Sequence, residues 1–204
     1  MKILQIKASV FNGSGQSSRL SDQLVAQLRA HNPGAEVLQR DLVADPVPHL
    51  DAARVGAFFS KAEARTAEQK AVIAYSDALI DEVRQADVIV LGLPMYNFGV
   101  PSQLKAWFDH LARAGVTFKY TDKGAVGLLT GKKAYVVVTR GGVYGAAQDE
   151  FETGFVRQFL GFVGITDVEF VVAEGLALGE ESLNKSMAAA QAQVRRLTEI
   201  RLAA

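Results

Sequence analysis

Five short strand-like runs separated by segments of helical period constrain this chain more than any other feature. The runs are Ile3 to Ala8, Ala35 to Asp41, Val88 to Leu91, Ala134 to Val138 and Val168 to Val172. Val88-Ile89-Val90-Leu91 has no polar face, the pattern of a strand covered on both sides in a parallel sheet. The intervening segments are amphipathic. Leu20, Leu24, Val25 and Leu28 fall on one face of a helix that opens near Ser17 or Ser18 and stops before Asn32-Pro33-Gly34. A longer helix starts from Thr66 as N-cap and carries Val72, Ile73, Leu79, Ile80 and Val83. Leu104, Trp107, Phe108 and Leu111 mark a third helix, with Trp107 in its core face. Phe151, Phe155 and Phe159 mark a fourth, and Leu183, Met187, Ala190, Val194 and Leu197 the last.

Strands alternating with helices predict an α/β fold, a doubly wound sheet of five parallel strands with helices on both faces. At 204 residues the flavodoxin-like strand order 2-1-3-4-5 is the natural choice, in a single domain spanning 1–204. Two stretches stand outside the alternation. Residues 44–65 read as a loop and a broken helix around Phe58-Phe59-Ser60, and 116–131 as a hairpin excursion. The chain has no cysteine, which excludes thiolate catalysis, disulfides and iron–sulfur ligation. Lys+Arg and Asp+Glu are 22 each, so the basic excess of a nucleic-acid binder is missing. The longest apolar run, Val88 to Pro94, is far short of the ~20 residues that span a bilayer. With no leader in sight, the expected location is the cytoplasm. His31, His49 and His110 have no ligand spacing and read as surface residues, and Arg113 and Lys119 as solvated charges.

In a sheet of this order ligands bind outside the carboxyl ends of the strands, where strands 1 and 3 part. Three loops leave those ends. The first, Ser9 to Ser18, has four serines and two glycines and opens a helix. Backbone N–H groups, hydroxyls and the positive helix end form an anion pocket there. It has no Lys before Ser or Thr and no G-x-G-x-x-G, so it suits a phosphate monoester rather than a triphosphate with magnesium. The second, Pro94-Met95-Tyr96-Asn97-Phe98, sets aromatics between stiffening prolines. The third, Thr139-Arg140-Gly141-Gly142, lets backbone approach a flat ring. Taken singly, each also reads as ordinary structure: a capped loop, aromatics folded under the sheet, a tight turn. Taken together they describe phosphate on the first loop and a heterocycle on the other two.

These residues resemble a known family. Ser9 with Gly15-Gln16-Ser17, Pro94-Met95-Tyr96-Asn97-Phe98 and Thr139-Arg140-Gly141-Gly142 are similar to segments of the FMN-dependent NADH:quinone oxidoreductases, also known as NADH-azoreductases. So are Arg113 to Thr121, Gly127 to Ala134 and Leu160 to Asp167. The resemblance implies a homodimer with one FMN per subunit, reduced by NADH and reoxidised by quinones or azo compounds in a ping-pong cycle. Its FMN contacts fall on Ser9, Gly15, Gln16, Ser17, Pro94, Met95, Tyr96, Asn97, Phe98, Thr139, Arg140, Gly141 and Gly142. Phe118, Tyr120, Phe162 and Phe59 are the candidates for the substrate cavity, and the first three serve equally well as core or interface aromatics. No side chain is assigned a catalytic role and no metal is expected, because the flavin carries the hydride, with the Asn97 backbone near its N5. The rival reading is a flavodoxin-type electron carrier. Such carriers usually show an acidic docking face, and this chain is neutral.

Overall fold

The computed structural model describes residues 1–145 and 151–199. In chain order the elements are β1 (Lys2–Lys7), α1 (Gln16–His31), β2 (Glu36–Asp41), α2 (Ala52–Phe59), α3 (Ala67–Gln85), β3 (Val88–Pro94), α4 (Ser102–Leu111), β4 (Phe118–Thr121), β5 (Gly124–Gly127), β6 (Lys133–Thr139), α5 (Glu152–Val163), β7 (Asp167–Ala173) and α6 (Glu180–Glu199). Five strands form one sheet in the order β2-β1-β3-β6-β7, with every neighbouring pair parallel. Counting only its members, this is the order 2-1-3-4-5. β4 and β5 pair antiparallel as a separate hairpin.

The alternation of side chains along the central strands divides the core in two. Ile89 and Leu91 point to one face, where they meet Leu79, Ile80, Trp107, Phe108 and Val163. Val88 and Val90 point to the other, against Leu20, Leu24, Leu28, Ala190 and Val194. α3, α4 and α5 therefore cover one side and α1 and α6 the other. Each fully buried Leu, Ile or Val stabilises the fold by about 1.5–3 kcal/mol, so a strand apolar on both faces secures two layers at once. Glycine at position 92 allows a close approach of helix to sheet. A Cβ there would meet the Ser17 carbonyl oxygen at 3.2 Å, so the head of α1 lies directly on β3. Gln5 and Lys7 of β1, both buried, hold Asp22 of α1 at 2.7 Å each and fix the helix along the sheet.

Several local expectations are corrected. α1 begins at Gln16 with Gly15 as N-cap, one turn of 3-10 helix over Asn12–Ser14 having consumed the loop before it. Ser17 and Ser18 thus sit inside the first turn rather than capping it. Phe151 is the exposed N-cap of α5 rather than part of its core face, while Phe155 and Phe159 pack on Phe108. His110 and Arg113 are buried, not solvated. Arg113 pairs with Asp77 at 2.5 Å and lies over the Phe58 ring. His110 stands edge-on to Phe58 and Tyr75. The broken helix around Phe58 thus docks on α3 and α4 through polar groups, which an apolar count does not register. No described helix is long and apolar enough to cross a membrane.

Candidate functional site

The carboxyl ends of β1, β3 and β6 open onto one cleft of about 160 Å³. Its walls are Ser9, Phe11, Gly15, Gln16 and Ser17 from the first loop, Pro94, Met95 and Tyr96 from the second, Thr139, Arg140 and Gly141 from the third, and Leu176. The fold thus gathers ten of the thirteen residues expected around the cofactor. Asn97, Phe98 and Gly142 are next to this wall in the chain but do not line the cleft.

The first loop is built for an anion. Gly15 has extended backbone, φ −63° and ψ 144°, and turns the chain into α1. A Cβ at Gly15 would stand 2.1 Å from Ser9 Oγ, so only glycine closes this cradle. No side chain caps α1. The hydroxyls of Ser17 and Ser18 are buried in its first turn without a hydrogen-bond partner among the described residues. A buried hydroxyl without a partner costs about 1–3 kcal/mol, so its presence at a helix N-terminus points to a group from outside the protein. The helix end adds a partial positive charge of about half a unit.

Tyr96 joins the first two loops. Its phenol oxygen accepts the Val10 N–H at 3.1 Å and lies 3.3 Å from Ser9 Oγ. Beyond it the chain reverses. Tyr96 and Gly99 exchange both backbone hydrogen bonds at 3.1 Å, with Asn97 at φ 49° and Phe98 at φ 68° between them. Two successive left-handed residues make the type I′ hairpin turn, for which Asn-Gly is the favoured pair. Phenylalanine at the glycine position is strained and 64% exposed. Backbone strain of this kind persists only where the surrounding structure over-determines it.

On the third loop, Arg140 contributes only part of itself to the cleft. Its guanidinium turns inward, donating from Nε to Glu152 at 2.7 Å, with the two side chains 3% and 0% exposed. It also stacks over Tyr144 at 5.8 Å. Among the described residues the cleft therefore has no basic side chain turned toward it to grip a polyphosphate, and the positive end of α1 is its main attraction for an anion.

A second, mostly apolar pocket of about 490 Å³ lies beside the turn, lined by His49, Phe98, Gly99, Val100, Ser102, Lys105, Phe151, Glu152 and Phe155. The four aromatics expected around the substrate line neither space. Phe118 and Phe162 stack at 4.3 Å, with Tyr120 edge-on to Phe118. Helix α5 separates this group from the cleft. Glu152 begins α5 beside the cleft, and Phe162 lies in its last turn ten residues on, about 15 Å away. Tyr120 is 74% exposed and Phe59 79%. Among the described residues no three His, Asp or Glu side chains converge to hold a metal.

The model of the flavodoxin-like fold family matches residues 1–197. An FMN-dependent NADH:quinone oxidoreductase of Alcanivorax borkumensis is 54% identical over 194 residues, covering 95% of this chain and 98% of that protein. The chain belongs to the family of FMN-dependent NADH:quinone oxidoreductases. Another relative of that name, from Dechloromonas aromatica, is 54% identical over 197 residues, 97% of this chain and 99% of its own. The azoreductase of Bacillus anthracis str. Sterne superposes with a TM-score of 0.89 at 29% identity, covering 97% of this chain and 98% of that one. An FMN-dependent NADH-azoreductase from Bacillus anthracis str. Ames Ancestor, solved in complex with FMN, gives 0.84 at 27% identity, over 97% and 100%.

Two cleft residues of this oxidoreductase escaped the sequence reading. Phe11 stood within a loop read only for its serines and glycines. Leu176 follows β7, whose carboxyl end opens on the same rim. The rule that placed three loops there applies equally to the fourth, and Gly175-Leu176 was its available signal.

Proposed function

We propose that the protein binds FMN in the three-loop cleft, takes hydride equivalents from NADH, and uses them to reduce quinones and to cleave azo bonds in a ping-pong cycle. The observation that carries this reading is the partnerless hydroxyl of Ser17, buried at the head of α1 beside a cradle that only Gly15 leaves open. The donor set fits a phosphate monoester: serine hydroxyls, backbone N–H groups and a helix end, with no cationic side chain among the described lining residues turned toward a longer chain of phosphates. Ser9, Gly15, Gln16 and Ser17 would hold the phosphate. Pro94, Met95, Tyr96, Asn97 and Phe98 would lie along the ring, with Thr139, Arg140, Gly141 and Gly142 at its pyrimidine edge. When bound, the flavin supplies the redox chemistry.

The protein supplies orientation and charge. Backbone donors at Asn97 and at Gly141 and Gly142 would face the bound ring and would favour negative charge on it, and fixed donors of this kind need no reorganisation when charge appears. NADH, a proton and a quinone yield NAD⁺ and a hydroquinone. An azo compound needs two rounds, two hydrides and two protons, to yield two amines. The protons come from solvent, which an open cleft admits.

The working unit in this reading is a homodimer. Phe118, Tyr120 and Phe162 lie about 15 Å along α5 from their own cleft. In a two-fold assembly they would wall the partner's cleft together with Phe59. The exposed rings of Phe98 and Phe151, which share one pocket wall, and those of Tyr120 and Phe59 are apolar surface that such an interface would cover. The working compartment is the cytoplasm, which supplies NADH. The test is an absorbance spectrum of purified protein with added FMN, then NADH, then a quinone. A bound flavin that NADH bleaches in one step and the quinone restores, with steady turnover, is the expected result. Bleaching through a long-lived one-electron form without turnover would make it an electron carrier. Protein that takes up no FMN would end both readings.

A further inference from the structure

Behind the cleft wall lies a cluster of charges that anion binding does not use. Glu174 follows β7 directly. Its carboxylate accepts the N–H groups of Tyr144 at 3.0 Å and Gly145 at 3.2 Å. Arg140 lies between two carboxylates, 2.7 Å from Glu152 and 3.7 Å from Glu174. The backbone runs in parallel with these contacts: Gly175, Leu176 and Ala177 donate to the carbonyls of Gly142, Arg140 and Gly141 at 2.7, 3.1 and 3.0 Å. The Glu174 N–H is itself tied to Ser186 of α6 at 3.0 Å. The turn from Arg140 to Gly145 is thus held at its start by Arg140, in its middle by three backbone bonds, and at its end by Glu174. The carbonyls of Gly141 and Gly142 are engaged in this rail, and their N–H groups have no partner among the described residues.

Glu152 and Glu174 set two carboxylates against the Arg140 guanidinium, and Arg157 lines the same pocket as Glu174. Arg140 and Glu152 are almost fully buried, and the Glu174 side chain is three-quarters so. Charges set in low dielectric act over longer distances than solvated ones. A negative charge behind a ring that becomes anionic on reduction disfavours the reduced form, while correctly aimed N–H donors favour it. The two effects oppose each other, and Glu174 sits on both.

We propose that Glu174 is a positioning residue for the flavin. It fixes the Arg140–Gly145 turn so that Gly141 and Gly142 present their N–H groups to the ring edge, and its charge keeps the potential of the bound flavin low. This inference rests on FMN occupying the cleft. Glu174→Gln removes the charge and keeps one acceptor oxygen. Its bound FMN has a higher midpoint potential, and FMN affinity stays within a few fold of wild type. Glu174→Ala removes the clamp as well. Its FMN affinity falls roughly tenfold, the weight of one charge-assisted hydrogen bond. Glu174→Asp keeps the charge on a shorter arm and restores the wild-type potential, which guards against a misfolded glutamine variant.

The measurements are fluorescence titration of apoprotein with FMN and a spectroscopic redox titration of the loaded protein. Wild-type potential and wild-type affinity in both Glu174→Gln and Glu174→Ala would overturn the proposal, even with a lower melting temperature, because a merely structural residue moves stability alone. Wild-type protein that takes up no FMN would end the cofactor reading and this inference with it. Wild-type uptake with unchanged variants would end the inference alone.

Discussion

Ser17 buries a hydroxyl that no described atom of the protein satisfies, at a point where the backbone of α1 already lies against Gly92. The protein bears this desolvation cost in the absence of ligand. Ser17→Ala should therefore stabilise the apoprotein by about 1 kcal/mol in urea denaturation, while weakening FMN binding about tenfold in fluorescence titration. A variant that loses stability in the apo state would show that the hydroxyl serves the fold. Phe98 shows the same exchange in its backbone. At φ 68° a Cβ is crowded by the adjacent peptide, and glycine is not. Phe98→Gly should be more stable than Phe98→Ala by about 1 kcal/mol, the reverse of their order in a helix. Equal stability would show that the turn relaxes when the ring is lost. The strain was not readable in advance, because Asn-Phe is not a turn signature; the prolines on either side were the visible part.

At the scale of elements, the hairpin of β4 and β5 is held to α5 by two glycines. A Cβ on Gly127 would stand 2.0 Å from the Gly164 backbone nitrogen, and Gly164 itself ends α5 at φ 107°. Leu129 adds a backbone bond to Val163 at 2.8 Å. No flexible side chain lies there to move aside, so Gly127→Ala must push the hairpin off the helix. The expected loss is about 3 kcal/mol in chemical denaturation, the upper range for overpacking. Near-UV circular dichroism should change as well, because Phe118, Tyr120 and Phe162 stack across this joint. An unchanged spectrum would mean that the contact is looser than the backbone spacing shows. The hairpin excursion at 116–131 was legible in the sequence, but not the glycine across from Gly127, since Gly164 lies 37 residues further along the chain.

Across the whole molecule, α2, α3 and α4 meet around His110. Its ring stands edge-on to Phe58 of α2 and Tyr75 of α3, and Nδ1 lies 3.0 Å from the Ala106 carbonyl of α4. Burial pushes its pKa below the ordinary value of 6.5, against the pull of that carbonyl; Arg54 adds to the lowering, and Asp109 and Asp51 oppose it. The unfolded chain therefore binds this proton more readily than the folded one. The histidine's contribution is fully present above about pH 6.5 and is lost as pH falls below it. Stability from urea titrations should drop between pH 7 and 5.5, and His110→Gln should flatten that drop. A wild-type curve level over the window would show that the ring is protonated without cost.

The sequence determined the sheet, its two faces and the rim on which the three loops gather. These follow from local period, from the length of each run and from the handedness that winds a parallel sheet. It also placed ten residues of the cleft, because a strand's carboxyl end is fixed by chain direction alone. Only the tertiary structure decided which polar groups lie inside. His110 and Arg113 read as surface residues, Glu152 and Glu174 carried no reading, and three of the four are nearly fully buried. Their partners lie on other elements, and a charge can be buried only where the fold brings its counterpart within hydrogen-bond reach.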